Sequence, residues 1–288
     1  MSKAIVITSG KGGVGKTTAS ANIACALAMY GKKVVAVDAD IGLRNLDVAL
    51  GCEKDIIYNL VDVCEKKCRL RQALVKDKRF DELYLLAASQ IKDKTSVTPH
   101  QTSVIVAELK KSFDYVIIDC PAGIEHGFRN ALAGADEALI VTTPDVAAIR
   151  DADRVLSLLR QNGLNDICLI INKVRYDMMK NGEMISVDDI KDILGLELLG
   201  IIPEGKDAVI AANKGEPVAL DYESLAGQAY RNAARRIMGE NVEFISFDEK
   251  KGLIDVYKRQ ELFMPYKDYI HSIRQYRAVD IWLSVRCV

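Results

Sequence analysis

Gly10-Lys11-Gly12-Gly13-Val14-Gly15-Lys16-Thr17 is the stretch of the chain whose residue types specify chemistry most directly. Its glycines let backbone N–H groups curl around phosphate oxygens, where side chains would obstruct them. Lys16 is spaced to reach the β- and γ-phosphates of a nucleoside triphosphate, and the Thr17 hydroxyl to take a position on Mg²⁺. Thr18 adds a further phosphate contact. The surroundings match the pattern: the apolar run Ala4–Thr8 leads in and a run of good helix formers leads out, so a helix N-terminus contributes its dipole. A glycine-rich turn that merely joins strand to helix is the bland alternative, and motif plus context argue against it.

Three carboxylates extend the set. Val34-Val35-Ala36-Val37 is an apolar strand that delivers Asp38 and Asp40 to its carboxyl end, where nucleotide sites form in doubly wound sheets. Tyr115-Val116-Ile117-Ile118 delivers Asp119 in the same manner, the arrangement that supports Mg²⁺ through water. One aspartate at a strand end is usually a turn or cap residue; three in a chain with a phosphate loop are not so easily dismissed. Asp40 is the candidate for orienting the attacking water, and Thr17, Asp38 and Asp119 for the magnesium shell. Gly123, four residues past Asp119, is spaced to offer a backbone N–H to the γ-phosphate.

The elements that must position these residues alternate along the chain. Apolar runs at Ala4–Thr8, Val34–Asp38, Leu83–Ala87, Tyr115–Asp119, Ala138–Thr142, Cys168–Asn172 and Leu199–Ile202 predict strands. Several are continuously apolar, as strands covered on both faces are. Helical patterns at Thr17–Tyr30, Ser103–Ser112, Ala147–Asn162 and Ser186–Leu194 lie between them. The order predicts an α/β fold: a single P-loop NTPase domain over residues 1–240, with a mainly parallel β-sheet and helices on both faces.

Lys11 sets this loop apart. K-G-G-V-G-K-T-T resembles the signature of the deviant Walker A ATPases, which include the MinD cell-division regulators, the ParA partition proteins and the nitrogenase iron protein. Asp38-Ala39-Asp40-Ile41-Gly42-Leu43-Arg44-Asn45-Leu46-Asp47 and Asp119-Cys120-Pro121-Ala122-Gly123-Ile124-Glu125 resemble the two switch regions of the MinD branch. The resemblance covers roughly residues 1–253. It implies an ATPase that uses ATP and Mg²⁺ and closes as a homodimer, with Lys11 crossing to the partner's phosphates. It also implies that Asn172 recognises adenine through its amide, and that Pro203 belongs to a second base-binding segment. It further implies MinC and MinE as partners and attachment to an anionic membrane surface through a C-terminal amphipathic helix. The expected localisation is cytoplasmic, peripheral on the inner face of the cell membrane when ATP is bound. Asp151, Asp153 and Arg154 are weak partner-contact candidates, with a solvated face as the favoured account. A DNA-segregating ATPase and a metal-cluster carrier are the alternatives within the family.

Composition frames these readings. Across 288 residues 49% are hydrophobic and 27% charged, the profile of a chain able to bury a core. Net charge is −1, so no global positive field argues for nucleic acid, and none is expected as a partner. No apolar run approaches the roughly 20 residues of a membrane-spanning helix. Seven cysteines without a disulfide-like framework fit a reducing compartment. Cys64 and Cys68 have the i, i+4 spacing of a helical metal clamp, but two separate thiols are the favoured reading. Cys120, beside Asp119, reads as a packing residue rather than a cluster ligand.

Residues 241–254 read as the start of a truncated membrane-targeting segment. From Asp255 the text changes. Asp255-Val256-Tyr257-Lys258-Arg259-Gln260 and the final Arg286-Cys287-Val288 can be written as two frames of one nucleotide string, AGATGTGTATAAGAGACAG, which looks like a library-preparation adapter. Residues 255–288 are therefore expected to be a non-native tail; the alternative is a natural tail in which Tyr266–Trp282 forms a partner-binding helix.

Overall fold

The computed structural model describes residues 2–245 except 125. The non-native tail expected at 255–288 lies outside the described residues, as do residues 246–254 of the expected membrane-targeting segment.

The strands are β1 Lys3–Thr8, β2 Val34–Asp38, β3 Leu74–Lys76, β4 Leu83–Leu86, β5 Tyr115–Asp119, β6 Glu137–Thr142, β7 Ile167–Val174 and β8 Glu197–Pro203. The helices are α1 Lys16–Met29, α2 Leu46–Leu50, α3 Leu60–Cys64, α4 Leu70–Ala73, α5 Pro99–Leu109, α6 His126–Leu132, α7 Val146–Gln161, α8 Tyr176–Lys180, α9 Val187–Leu194, α10 Lys206–Asn213 and α11 Leu225–Ile237. One sheet carries all eight strands in the order β3-β4-β2-β5-β1-β6-β7-β8. Every pairing among them is parallel except β3 with β4. The expected mainly parallel sheet is thus observed, with one short antiparallel edge strand that the sequence pattern did not mark.

Strand composition explains the layering. Side chains alternate between faces, and here both sets are apolar. Ala4, Val6, Val35, Val37, Val116 and Ile118 enter one core with α5, α6, α7 and α9 residues such as Val106, Phe128, Val155 and Ile190. Ile5, Ile7, Val34, Ala36 and Ile117 enter the other, against Ile23 and Leu27 of α1 and Tyr230 of α11. Helix α1 lies wholly inside from Ala19 to Ala28; its alanines let the strand and helix backbones approach closely, as suits a helix buried on all sides.

Side-chain caps set the starts of α5 and α7. Thr98 and Gln101 form a capping box at α5 with Pro99 in the first turn, and Asp145 accepts from the Ala148 N–H at α7. The helical i, i+4 placement considered for Cys64 and Cys68 is not observed, and the favoured reading of two separate thiols stands. Helix α3 stops at Cys64, the left-handed Lys66 (φ 59°) breaks the turn, and Cys68 lies in the following loop. The two thiols therefore do not share a helix face, and burial raises the pKa of both.

Candidate nucleotide site

Strand β1 sits between β5 and β6, so its carboxyl end opens at the middle of the sheet. The loop from Gly10 begins there and feeds directly into α1 at Lys16. Gly13 (φ 82°) and Gly15 (φ 96°) adopt the left-handed backbone that glycine enters without a Cβ penalty. Gly10 is required for a different reason: a Cβ there would collide with the backbone carbonyl of Asp151 in α7. Asp151 is thereby placed against the loop, whereas Asp153 and Arg154 are exposed on the same helix.

Register brings the carboxylates together. Asp38 and Asp119 are direct partners across β2 and β5, and Asp119 is in turn level with Ile7 of β1. Both are almost completely buried. Asp119 accepts from the Thr17 hydroxyl at 2.7 Å and from the Ser20 hydroxyl at 2.8 Å. Asp38 spreads its oxygens over the segment that follows β2, accepting from the Asp40 N–H at 2.9 Å and the Leu46 N–H at 3.2 Å. That segment is tied further by Gly42 N–H to the Ser89 carbonyl and by an ion pair between Arg44 and the buried Asp47.

Burial raises the Asp38 pKa, and the Asp119 charge adds to the rise. Asp119 is raised by burial as well, with the Thr17 hydroxyl, the Lys16 charge and the Ser20 hydroxyl pulling the other way and Asp40 pushing up. Two buried carboxylates in register and the Thr17 hydroxyl thus meet at one point, with the Asp40 charge acting on both, an arrangement that a divalent cation would relieve. They do not close into a protein-only cage, since no group of three or more His, Cys, Asp or Glu able to hold a metal occurs among the described residues. That suits Mg²⁺, which keeps waters and takes phosphate oxygens rather than a full set of side chains.

The remaining predicted residues fall around this point. Lys16 is 8% exposed and emerges at the start of α1. Val14 is buried, whereas Lys11, Gly12 and Gly13 are exposed at the rim and Thr17, Thr18, Asp40 and Gly123 are half-buried. Lys11 lies close enough to act on the Asp145 carboxyl. Partial burial works against ionisation of that group, but the Thr143 hydroxyl, the Ala148 N–H and the Lys11 charge together hold it below its ordinary range. Gly123 (φ 86°) has open space where a Cβ would stand. Pro203 closes β8 opposite Val174. The Asn172 amide faces the loop, its Nδ2 donating to the Val14 carbonyl at 2.8 Å and its Oδ1 accepting from the Lys173 N–H at 2.9 Å. These two bonds use one of the amide's two N–H donors and one carbonyl lone pair.

Sequence reading passed over Ser20, Asn22 and the side chain of Lys173. Ser20 was legible in principle, because three residues after Thr17 it lies on the same helix face. Asn22 joins α1 to a distant turn, donating to the Thr18 carbonyl and accepting from the Ala219 N–H. Nothing local announces that partner. Cys120 is fully buried, and burial pushes its thiol up to about 12, so it behaves as a packing residue.

Fold and site together define a P-loop ATPase built on a doubly wound parallel sheet. The family model AAA_31, described as an AAA domain, matches residues 2–167. The septum site-determining protein MinD of Bacillus subtilis (strain 168) is 55% identical over 257 residues, covering 88% of this chain and 96% of its own length. A MinC:MinD cell division complex from Aquifex aeolicus matches with TM-score 0.80 and 48% identity, over 85% of this chain and 99% of that one. The Pyrococcus horikoshii MinD complexed with Mg-ADP matches with TM-score 0.75 and 32% identity, over 82% and 96%. The chain belongs to the MinD family of septum site-determining ATPases.

Proposed function

We propose that this chain is a nucleotide-gated dimerisation switch for placing the division site. The observation that carries the reading is the register pairing of Asp38 with Asp119 beside Thr17, at the mouth of the glycine loop. In this reading the N–H groups of Gly10–Thr18 hold the ATP phosphates, with Lys16 on the β- and γ-oxygens. Thr17 would ligate Mg²⁺ directly, and Asp38 and Asp119 would steady its waters. The Mg-ADP held by the Pyrococcus horikoshii relative supports that choice of nucleotide and ion. Asp40 orients the attacking water, Gly123 senses the γ-phosphate, and Asn172 and Pro203 frame the adenine.

Lys11 is exposed, and no side-chain bond of its ammonium is recorded within the described residues. It is therefore assigned to the partner's nucleotide in a homodimer, where a second cation would stabilise charge developing on the transferring phosphoryl group. The MinC:MinD complex of the Aquifex aeolicus relative supports MinC as a partner. MinE as the stimulator of hydrolysis, and an anionic membrane as the docking surface, follow from the family resemblance. No helix among the described residues is long and apolar enough to cross a membrane. A pair of weak amphipathic anchors joined by dimerisation would suffice for peripheral binding.

Sedimentation with anionic vesicles tests this cycle. A chain carrying a family-type amphipathic tail in place of residues 255–288 should pellet with ATP and stay in solution with ADP, while the chain as it stands should pellet poorly. Nucleotide-independent pelleting of both would reject the switch. Reading the coding DNA across residues 255–288 checks the foreign-tail proposal; codons unlike the adapter string would reject it.

A further inference from the structure

The end of strand β7 reaches into the phosphate loop from behind. Besides the Asn172 bond to the Val14 carbonyl, the Lys173 ammonium donates to the Gly13 carbonyl at 2.7 Å. Two neighbouring residues thus hold two consecutive carbonyls of the glycine loop. In a regular strand adjacent side chains point to opposite faces and could not do this. Here the backbone is altered to allow it. Lys173 takes a left-handed φ of 56°, and the β7–β8 pairing slips in register between Ile171 and Val174. A left-handed lysine is disfavoured by contact of its Cβ with the following carbonyl, so the conformation persists only where its surroundings impose it.

The consequence follows from peptide planarity. In a trans peptide the C=O and the N–H point in opposite directions. Turning the Gly13 carbonyl toward Lys173 turns the Val14 N–H away from β7, and turning the Val14 carbonyl toward Asn172 does the same to the Gly15 N–H. Both donors are thus turned away from β7 and left for the phosphate that the ATPase reading places at the loop. Gly15 admits this packing, since a Cβ there would collide with the Asn172 amide nitrogen.

We infer that Asn172 and Lys173 form a clamp that sets two phosphate-facing peptides of the loop, with Lys173 as a positioning residue for phosphate affinity. The inference rests on the ATPase reading of the loop, and it separates phosphate holding from base recognition.

The test uses displacement of a fluorescent ATP analogue from the full chain by Mg-ATP and by inorganic tripolyphosphate, which has no base. Lys173→Met keeps the aliphatic stem and removes the donor. It should weaken ATP and tripolyphosphate by a common factor of about three to ten, the scale of one partly exposed charge-assisted hydrogen bond. Lys173→Arg should restore most of the loss, and the thermal midpoint of all three proteins should agree. Asn172→Asp, which keeps the acceptor and loses the amide donor, should weaken tripolyphosphate as well as ATP. Unchanged binding of both ligands by Lys173→Met overturns the clamp, as does a loss confined to ATP, or a wild-type loop that tripolyphosphate cannot enter. A wild-type protein that fails to bind ATP at all rejects the ATPase reading instead, so the two failures are distinguishable.

Discussion

Equal amounts of Lys11→Ala and Asp40→Ala protein, each nearly inert alone, should recover ATPase activity when mixed. The Lys11 side chain is exposed, and its recorded loop bond, from the Ser9 hydroxyl at 2.8 Å, uses only the backbone carbonyl. Removing the side chain should therefore change monomer stability by no more than about 0.5 kcal/mol, as for other surface substitutions. Its loss from the transition state is a different matter: withdrawing one preorganised donor from developing charge costs about 10²–10³-fold in rate. Asp40 is half-buried, and its own N–H is held by Asp38, so Asp40→Ala removes a carboxylate without freeing the segment's backbone. In a mixed dimer, the site on the Lys11→Ala protomer keeps its Asp40 and receives Lys11 from the partner; the second site lacks both. Random pairing makes half the dimers mixed, with one competent site of two, so the mixture should regain up to about one quarter of wild-type activity. Stimulated phosphate release at fixed total protein is the assay. Activity no higher than the average of the two parents would show that Lys11 does not act across the dimer.

Other consequences concern the frame of the site. Asn22→Ala strands the buried Ala219 N–H, while the Thr18 carbonyl keeps its helical donor, and should lower stability by about 1–3 kcal/mol in urea denaturation; a loss below about 0.5 kcal/mol would mean the bridge is not what joins α1 to that turn. Burial raises Cys25 and Cys120 to about 12, so thiol reagents at pH 8 should label neither until the protein unfolds. Between about pH 8.5 and those raised values the native state keeps protons that unfolded thiols have lost, so these two groups make stability fall as pH rises through that window. Denaturation midpoints that fail to drop between pH 8.5 and 10 would contradict this.

Much of this arrangement was legible in the residues because its signals are local. The strands around the site announce themselves as unbroken β-branched runs, since a parallel sheet covered on both faces leaves no polar positions. The glycine loop is legible because phosphate binding and left-handed backbone both demand glycine at fixed spacing. Strand β3 was not, because three residues carry no period and pair only through an edge contact with β4. Helices α10 and α11 went unmarked although Ser224 caps the latter; alanine and arginine dominate α11, and small alanines make its broad buried face look weakly apolar in the sequence. Lys173 was unreadable for a deeper reason, as its role depends on a left-handed backbone that no lysine advertises. The Cys64–Cys68 spacing makes no clamp because a single left-handed residue, Lys66, removes the second cysteine from the helix.

Calorimetric titration of Mg-ATP into the wild-type chain and into Lys16→Ala tests the central claim most directly. Wild type should show one site per protomer, and Lys16→Ala, deprived of the buried cation at the start of α1, should show none. Equal affinity in the two proteins, or no binding by wild type, would contradict the assignment of this loop to ATP.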